Sequence, residues 1–434
     1  MVGNSRDSLV QRIADAVEDK ADEICATLME AVQIRTEVPP GNNYEAIVGY
    51  FQGRFAELGL ETRIETVPPD VVESRVRRYQ AGIAGPRPNL IATDRSASKP
   101  LAAFYCHLDT VPAGDTSKWS FEPFAPFVRD GYIWGRGTAD SKGGPTAILW
   151  AFRVLRELAI SPQISPVIAL TTDEEVGPYS GLMYLVDSGA LDGCTWLYSA
   201  DGVAGAVGYG CPGSIIWTVK VAGRSVHSAS SFLGVNPIER AVPLMVALME
   251  AKRDIERRTT DLPLSPEITA ESGRTHISSL LNITQIRSGD IQTVVPAELT
   301  LAGDRLYTSD EDKEEVLGEL RSIVQAAKAA DPLLDCILDT HVFYEPFSQD
   351  ASHPWLRQVQ GLISDVRNDN VPLAALSGPS DVAYAANRLG VPVAIHGLTR
   401  YRESRTHGPD ERCRVSDLLA ITKVIAGLAA GLSD

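Results

Sequence analysis

The 434-residue chain reads as an α/β protein. A mostly parallel sheet is flanked by helices and interrupted by a smaller α+β insertion of split-βαβ, ferredoxin-like order. Three observations predict this. Short apolar strands of the kind buried inside a sheet alternate with helical segments. Three of those strands run at their carboxyl ends into histidine or carboxylate residues, where open α/β sheets place their ligand sites. After Gly210 the element order changes to βαββαβ, which belongs to a separate small sandwich.

Taken in order, residues 7–35 predict one long amphipathic helix ending before Val38-Pro39-Pro40. Residues 44–58 predict a second helix, closed by Gly59 at its C-terminal cap. Residues 60–67 alternate like a strand. Residues 68–88, polar and carrying Arg75, Arg77 and Arg78, predict an irregular surface loop. Strands follow at 89–92, 101–106, 165–172 and 195–200. A short strand at 131–134 leads into a helix whose apolar positions Ala147, Ile148, Ala151, Val154, Leu155 and Leu158 share one face. Another helix lies near 180–188. In the insertion, strands are predicted at 214–221, 279–287, 297–306 and 336–344, with helices at 237–257 and 310–330. The chain closes with a helix at 353–366, a strand at 392–396 and a helix at 415–432. The predicted division is 1–212 and 345–434 for the larger unit and 213–344 for the insertion, since this length exceeds what one core organises.

Composition narrows the function. A net charge of −16 argues against nucleic acid as a partner, since phosphate binding wants a basic face. No apolar run of membrane-spanning length exists, and the polar N-terminus lacks a secretory apolar core. Six scattered cysteines form neither a disulfide framework nor a CxxC zinc site, so reduced thiols in a cytoplasmic protein are expected.

The chemistry gathers at the strand ends. The strand at 101–106 runs into His107-Leu-Asp109, the one at 165–172 into Asp173-Glu174-Glu175, and the one at 195–200 into Asp201. Asp140 sits between glycine-rich turns in Gly135-Arg-Gly-Thr-Ala-Asp140-Ser-Lys-Gly-Gly144, and read alone it is a helix N-cap or a metal ligand. Near the end stands His407. Two histidines with several carboxylates and no thiolate suit zinc, manganese or cobalt. Five ligands exceed one tetrahedral site but suit two ions sharing a bridging carboxylate. Asp109, two residues from His107, points the same way in an extended segment and so can fix the imidazole tautomer. Of the adjacent Glu174 and Glu175, one can bind metal while the other handles water. His276, His341, His353 and His396 read as structural.

Four runs resemble the M20 metallopeptidases, the group of carboxypeptidase G2-like enzymes, aminoacylases, acetylornithine deacetylases and succinyl-diaminopimelate desuccinylases. They are His107-Leu-Asp-Thr-Val-Pro112, the Gly135–Gly144 turn, Thr172-Asp-Glu-Glu-Val-Gly177 and Gly223-Arg-Ser-Val-His227-Ser. The resemblance implies a di-metal catalytic domain of the phosphorylase/hydrolase-like class with an inserted lid that also dimerises. His107 and Asp201 would hold one ion and Glu175 and His407 the other, with Asp140 bridging. Glu174 would be the general base acting on a metal-bound water, Asp109 would orient His107, and the Asp140–Ser141 peptide would be cis. His227 would reach a partner subunit's site, bind substrate and stabilise the oxyanion, and Arg305 would take a substrate carboxylate. Thr293 before Val294-Val-Pro296, and Gly378-Pro-Ser-Asp381, depart from the family's usual patterns. Arg400, Arg402 and Arg405 near His407 hint at a small anionic substrate.

The expected activity is hydrolysis of a C–N bond, an N-acyl amino acid or small-peptide amide first. The alternatives are a non-amide C–N bond, such as that of an activated aromatic amine, and a metal-free binding protein on the same fold.

Overall fold

The computed structural model describes residues 3–94 and 99–432. Its centre is an eight-stranded mixed sheet in the order Glu61–Thr66, Pro88–Thr93, Ser165–Thr171, Leu101–His107, Cys194–Ser199, Val393–Ile395, Val207–Gly208, Leu373–Ala374. The inner four strands, from Ser165–Thr171 to Val393–Ile395, run parallel, and antiparallel pairings lie towards both edges. Burial explains the pattern: Ser165–Thr171 is buried at every position, as a strand covered on both faces must be. One face carries the helices Gly143–Glu157, Val415–Ala429 and Pro354–Arg367, and the other carries Leu182–Asp187 and Val382–Leu389. Among the described residues, no helix is long and apolar enough to cross a membrane.

A second sheet of four antiparallel strands is built from Leu280–Arg287, Glu298–Tyr307, Gly213–Ala222 and Asp335–Tyr344. Helices Pro237–Ile255 and Lys313–Ala330 pack on it around a core of its own. From this unit an arm reaches back to the large sheet: strand Thr259–Pro263, helix Pro266–Ser272 and strand His276–Ser278. The Ala375 N–H donates to the Pro263 carbonyl at 2.7 Å. Glu267 accepts from Arg400 at 3.2 Å and from the Tyr401 N–H at 3.0 Å, and Glu271 pairs with Arg402. The arm has no counterpart among the predicted elements.

Two other local predictions are corrected. The single N-terminal helix is two, Gly3–Asp19 and Ala21–Gln33, broken at Lys20, which lets the first lie on Val415–Ala429 and the second on Gly143–Glu157. The surface loop at 68–88 contains helix Pro69–Val72 running into a π-helical turn, Glu73–Arg77. Val72 and Val76 anchor that turn in a small core with Val38, Tyr44, Val67 and Ile83.

Candidate metal centre

The parallel strands deliver their terminal side chains to one cleft. His107 ends Leu101–His107, Glu174 and Glu175 begin the 3-10 turn after Ser165–Thr171, and Asp201 lies two residues beyond Cys194–Ser199. Asp140 arrives from the turn before helix Gly143–Glu157, through a cis Asp140–Ser141 peptide. Two glycines make this approach possible. Gly137 has φ +87°, and a Cβ there would lie 2.6 Å from Thr110. At Gly144 a Cβ would lie 2.5 Å from the Cys106 sulfur and 2.7 Å from the Ala200 carbonyl, so the helix start can press against the strand ends bearing His107 and Asp201 only without a side chain.

Asp140 stands at the middle. One carboxylate oxygen is 3.1 Å from His107 Nε2, and the other is 3.2 Å from His407 Nε2. His107 Nε2 is also 3.9 Å from Asp201, and His407 Nε2 is 3.0 Å from Glu175. Ligand atoms thus converge in two sets, His107–Asp140–Asp201 and Asp140–Glu175–His407, each within 4.8 Å and sharing Asp140. His407 comes from a tight loop in which it has φ +62°.

Electrostatics fit a cation. Burial pushes Glu175 up to about 7, with the Asp140 charge adding to it, and pushes Asp201 up to about 6. Burial also raises Glu174 well above the usual carboxylate range, with Asp381, Glu175 and Asp201 outweighing the opposing charge of His107. Hydrogen bonds to Asp140 and Glu175 lift His407 to about 11. Burial opposes protonation of His107, but hydrogen bonds to Asp109 and Asp140 outweigh it and hold its pKa well above the ordinary value. Four carboxylates crowded out of water repel one another, and divalent ions would offset that repulsion. The oxygen and imidazole donor set fits such ions.

Asp109 is fully buried and does more than face His107. His107 Nδ1 lies 3.1 Å from the Asp109 backbone carbonyl and 3.4 Å from its carboxylate. The two carboxylate oxygens accept the N–H groups of Glu174 at 3.2 Å and Glu175 at 3.1 Å. One residue therefore links the histidine strand to the double-glutamate turn. Asp173 fixes that turn from the other side: at φ +70° and fully buried, it pairs with Arg87 at 2.7 Å and accepts from Tyr44 at 2.7 Å and Ser180 at 2.6 Å.

Two residues at the centre were not singled out from the sequence. Glu411, four residues after His407, is fully buried and accepts from the N–H groups of Gly137, Ala139 and Asp140 at 3.0, 3.1 and 3.2 Å and from Arg136 at 2.5 Å. Arg136 also donates to the Gly408 carbonyl at 3.1 Å, tying the His407 loop to the Asp140 turn. Asp381, noted before only as part of a variant loop, is buried and accepts from Tyr105, and burial raises its pKa to about 7. The acidic residue after His407 and the lone arginine of the glycine turn were the available signal for Glu411. Asp381 had none beyond its place in the Gly378-Pro-Ser-Asp381 run.

Other expected residues lie elsewhere. Arg305 is corrected: it is fully buried and its guanidinium pairs with Glu311, in the turn before helix Lys313–Ala330, at 2.6 Å and with Glu319 on that helix at 3.2 Å, so it is committed within the small unit. Arg400 is bound to Asp417 and Glu267, Arg402 to Glu271, and Arg405 to Asp410, so their charges are met internally. His227 is exposed on the small unit, where its Nδ1 accepts the Ala229 N–H at 3.1 Å. That bond leaves the ring proton of the neutral imidazole on Nε2.

Residues 103–431 match the sequence profile of peptidase family M20/M25/M40. Succinyl-diaminopimelate desuccinylase of Thioalkalivibrio sulfidiphilus is 25% identical over 345 residues, covering 77% of this chain and 84% of that protein. Among solved structures, the di-peptidase Dug1p of Saccharomyces cerevisiae superposes with a TM-score of 0.79 at 15% identity, covering 98% of both chains. Human carnosine dipeptidase 1 gives a TM-score of 0.77 at 18% identity, covering 98% of this chain and 99% of its own.

Proposed function

The chain belongs to peptidase family M20/M25/M40, and on that premise we propose that it is a two-metal hydrolase cleaving the amide bond of an N-acyl amino acid or small peptide. One observation carries this: two ligand sets share Asp140, while the adjacent Glu174 belongs to neither. In the proposed arrangement His107 and Asp201 would hold one ion and Glu175 and His407 the other, with Asp140 common to both sets. Zinc, manganese or cobalt suits these donors. Such ions, when bound, polarise the attacked carbonyl and acidify water.

The protein's own groups do the rest. Glu174, its pKa raised by burial, takes the proton of the attacking water and passes it to the leaving nitrogen. Asp109 holds the Glu174 and Glu175 backbone against the His107 strand. His227 Nε2–H stabilises the developing oxyanion from a partner subunit, which makes the small unit of residues 213–344 a lid and a dimerisation domain. Exposed Ile238, Val242, Val246 and Met249, on one face of helix Pro237–Ile255, support a homodimer through that unit. The desuccinylase relative supports a small anionic substrate. Six buried cysteines without disulfides support a cytoplasmic location.

The test is hydrolysis of a panel of N-acyl amino acids and dipeptides after chelation and metal reloading. Activity should vanish on chelation and return with divalent ions. Glu174→Gln should retain bound metal and lose at least roughly 10²-fold in rate. Full turnover by metal-free protein would sink the two-metal reaction, and near-normal turnover by Glu174→Gln would remove Glu174 as the base.

A further inference from the structure

A second cavity, of about 290 Å³, lies in the cleft between the two sheets, beside the double-glutamate turn. One wall is Val176 and Gly177, which directly follow Glu175, together with Tyr179, Met183 and Tyr384. The facing wall is His341 and Phe343 from strand Asp335–Tyr344, and Tyr79 closes one side from just after the π-helical turn. Tyr79 stacks face to face on His341, ring centroids 3.5 Å apart and planes 6° from parallel, so the ring pair bridges large unit and small.

The chemistry of the lining is specific. The hydroxyls of Tyr179 and Tyr384 are both spent on Asp187, at 2.8 and 2.6 Å. Arg75, whose guanidinium lies 4.2 Å over the Tyr179 ring, is 3.8 Å from the same Asp187. The one cation and the one anion at the rim therefore answer each other. With the Ser74 hydroxyl spent on the Asp70 carbonyl, what the lining offers a ligand is aromatic faces, the His341 imidazole stacked on Tyr79, and the apolar groups of Val176 and Met183, which favours an apolar side chain. Size points the same way. An apolar cavity of roughly 150 Å³ takes benzene, so 290 Å³ holds one ring-bearing side chain with its linker.

We propose that this cavity is a specificity pocket that receives the aromatic or bulky apolar side chain of the amino acid whose amide is cleaved. The proposal rests on the amide-hydrolase reading above. It goes further by naming the substrate class: N-acyl derivatives or dipeptides of phenylalanine, tyrosine, leucine or methionine, ahead of glycine or alanine. The pocket adjoins the double-glutamate turn through Val176, the last residue of that turn.

The test compares kcat/KM for N-acetyl-glycine, -alanine, -leucine and -phenylalanine on the metal-loaded protein, in the natural chain, Met183→Trp and Tyr79→Ala. Met183→Trp fills the cavity, and Tyr79→Ala removes a half-exposed platform whose loss leaves both cores intact. The natural chain should favour phenylalanine over alanine by roughly 10- to 100-fold, the worth of one buried ring. Met183→Trp should erase most of that preference while alanine stays within about threefold, and Tyr79→Ala should shrink it. Equal rates for all four substrates, or variants that slow alanine and phenylalanine alike, overturn the pocket. Calorimetric binding of free phenylalanine and alanine separates the two hypotheses. Tighter phenylalanine binding lost in Met183→Trp, without cleavage of any amide, keeps the pocket and refutes the reaction; amide cleavage without size preference does the reverse.

Discussion

Glu411→Gln tests how the Asp140 turn is held. In the native turn one carboxylate oxygen takes three backbone N–H groups at 3.0 to 3.2 Å, and the other takes Arg136, itself only 1% exposed. Glutamine keeps the shape but supplies a single acceptor oxygen. If that oxygen stays on the backbone amides, the new NH₂ group faces a buried guanidinium; if it turns to Arg136, three N–H groups lose their partner. Breaking a buried ion pair from one side costs about 3–5 kcal/mol. Part of that loss relaxes into the turn itself, because Arg136 also ties it to the Gly408 carbonyl beside His407. Asp140 belongs to both proposed ligand sets, so both ions should bind less tightly, by the roughly 10- to 100-fold typical of losing a group that orients a ligand. The assay is chelator-competition titration of zinc, alongside circular dichroism and chemical unfolding of the metal-free protein. A folded Glu411→Gln protein with unchanged zinc affinity at both steps would refute the reasoning.

Three other perturbations follow from the same structure. Arg87→Met leaves Asp173 buried without its cation, and unfolding experiments should show a loss of about 3–5 kcal/mol, more than any exposed arginine variant gives. His396 is held neutral, its pKa pushed down to about 3 by burial and by Arg367, while the unfolded chain titrates near 6.5. The unfolded state therefore binds the extra proton as pH falls below 6.5, and His396 contributes stability at neutral pH that is lost towards pH 3. Between pH 6.5 and 5 this one group accounts for about 2 kcal/mol, and His396→Asn should flatten the urea-midpoint profile by that amount; an unaltered profile would exclude it as the source. Val246→Glu, in the exposed face of helix Pro237–Ile255, should convert a dimer to monomer in light scattering without unfolding it, and a dimer that persists would place the interface elsewhere.

The parts of the fold that showed in the sequence are those whose burial leaves a local pattern of apolar residues. Ser165–Thr171 and Leu101–His107 are apolar nearly throughout because both faces are covered, and their ends mark where His107, Glu174 and Glu175 emerge. His407 sits on no such element, and only the M20 resemblance drew it to Asp140. The arginines mislead for a related reason. Arg400, Arg402 and Arg405 stand beside His407 in the chain, but Arg400 is claimed by Asp417, 17 residues on, and by Glu267, 133 residues back. Partners that far apart leave no local trace. Arg305 likewise lies on a strand whose inward positions alternate, so its side chain meets carboxylates of the helix packed on that sheet and of the turn before it. The π-helical turn at Glu73–Arg77 follows a helix of four residues, too short for a period, and is set instead by Val72 and Val76 entering a small core.

The arm of residues 259–278 bears on how the cleft opens. The chain enters the small unit near Gly213 and leaves it near Tyr344, and just beyond, Phe347–Ser348 pairs with Gly210–Cys211, so the two crossings act as one pivot. The arm's attachment at Ala375, Arg400 and Arg402 is a second pivot. The Tyr79–His341 stack is a third tie, so the small unit is joined to the large one at three separate places. Widening the aromatic cavity therefore means parting the Tyr79–His341 stack while the two pivots hold.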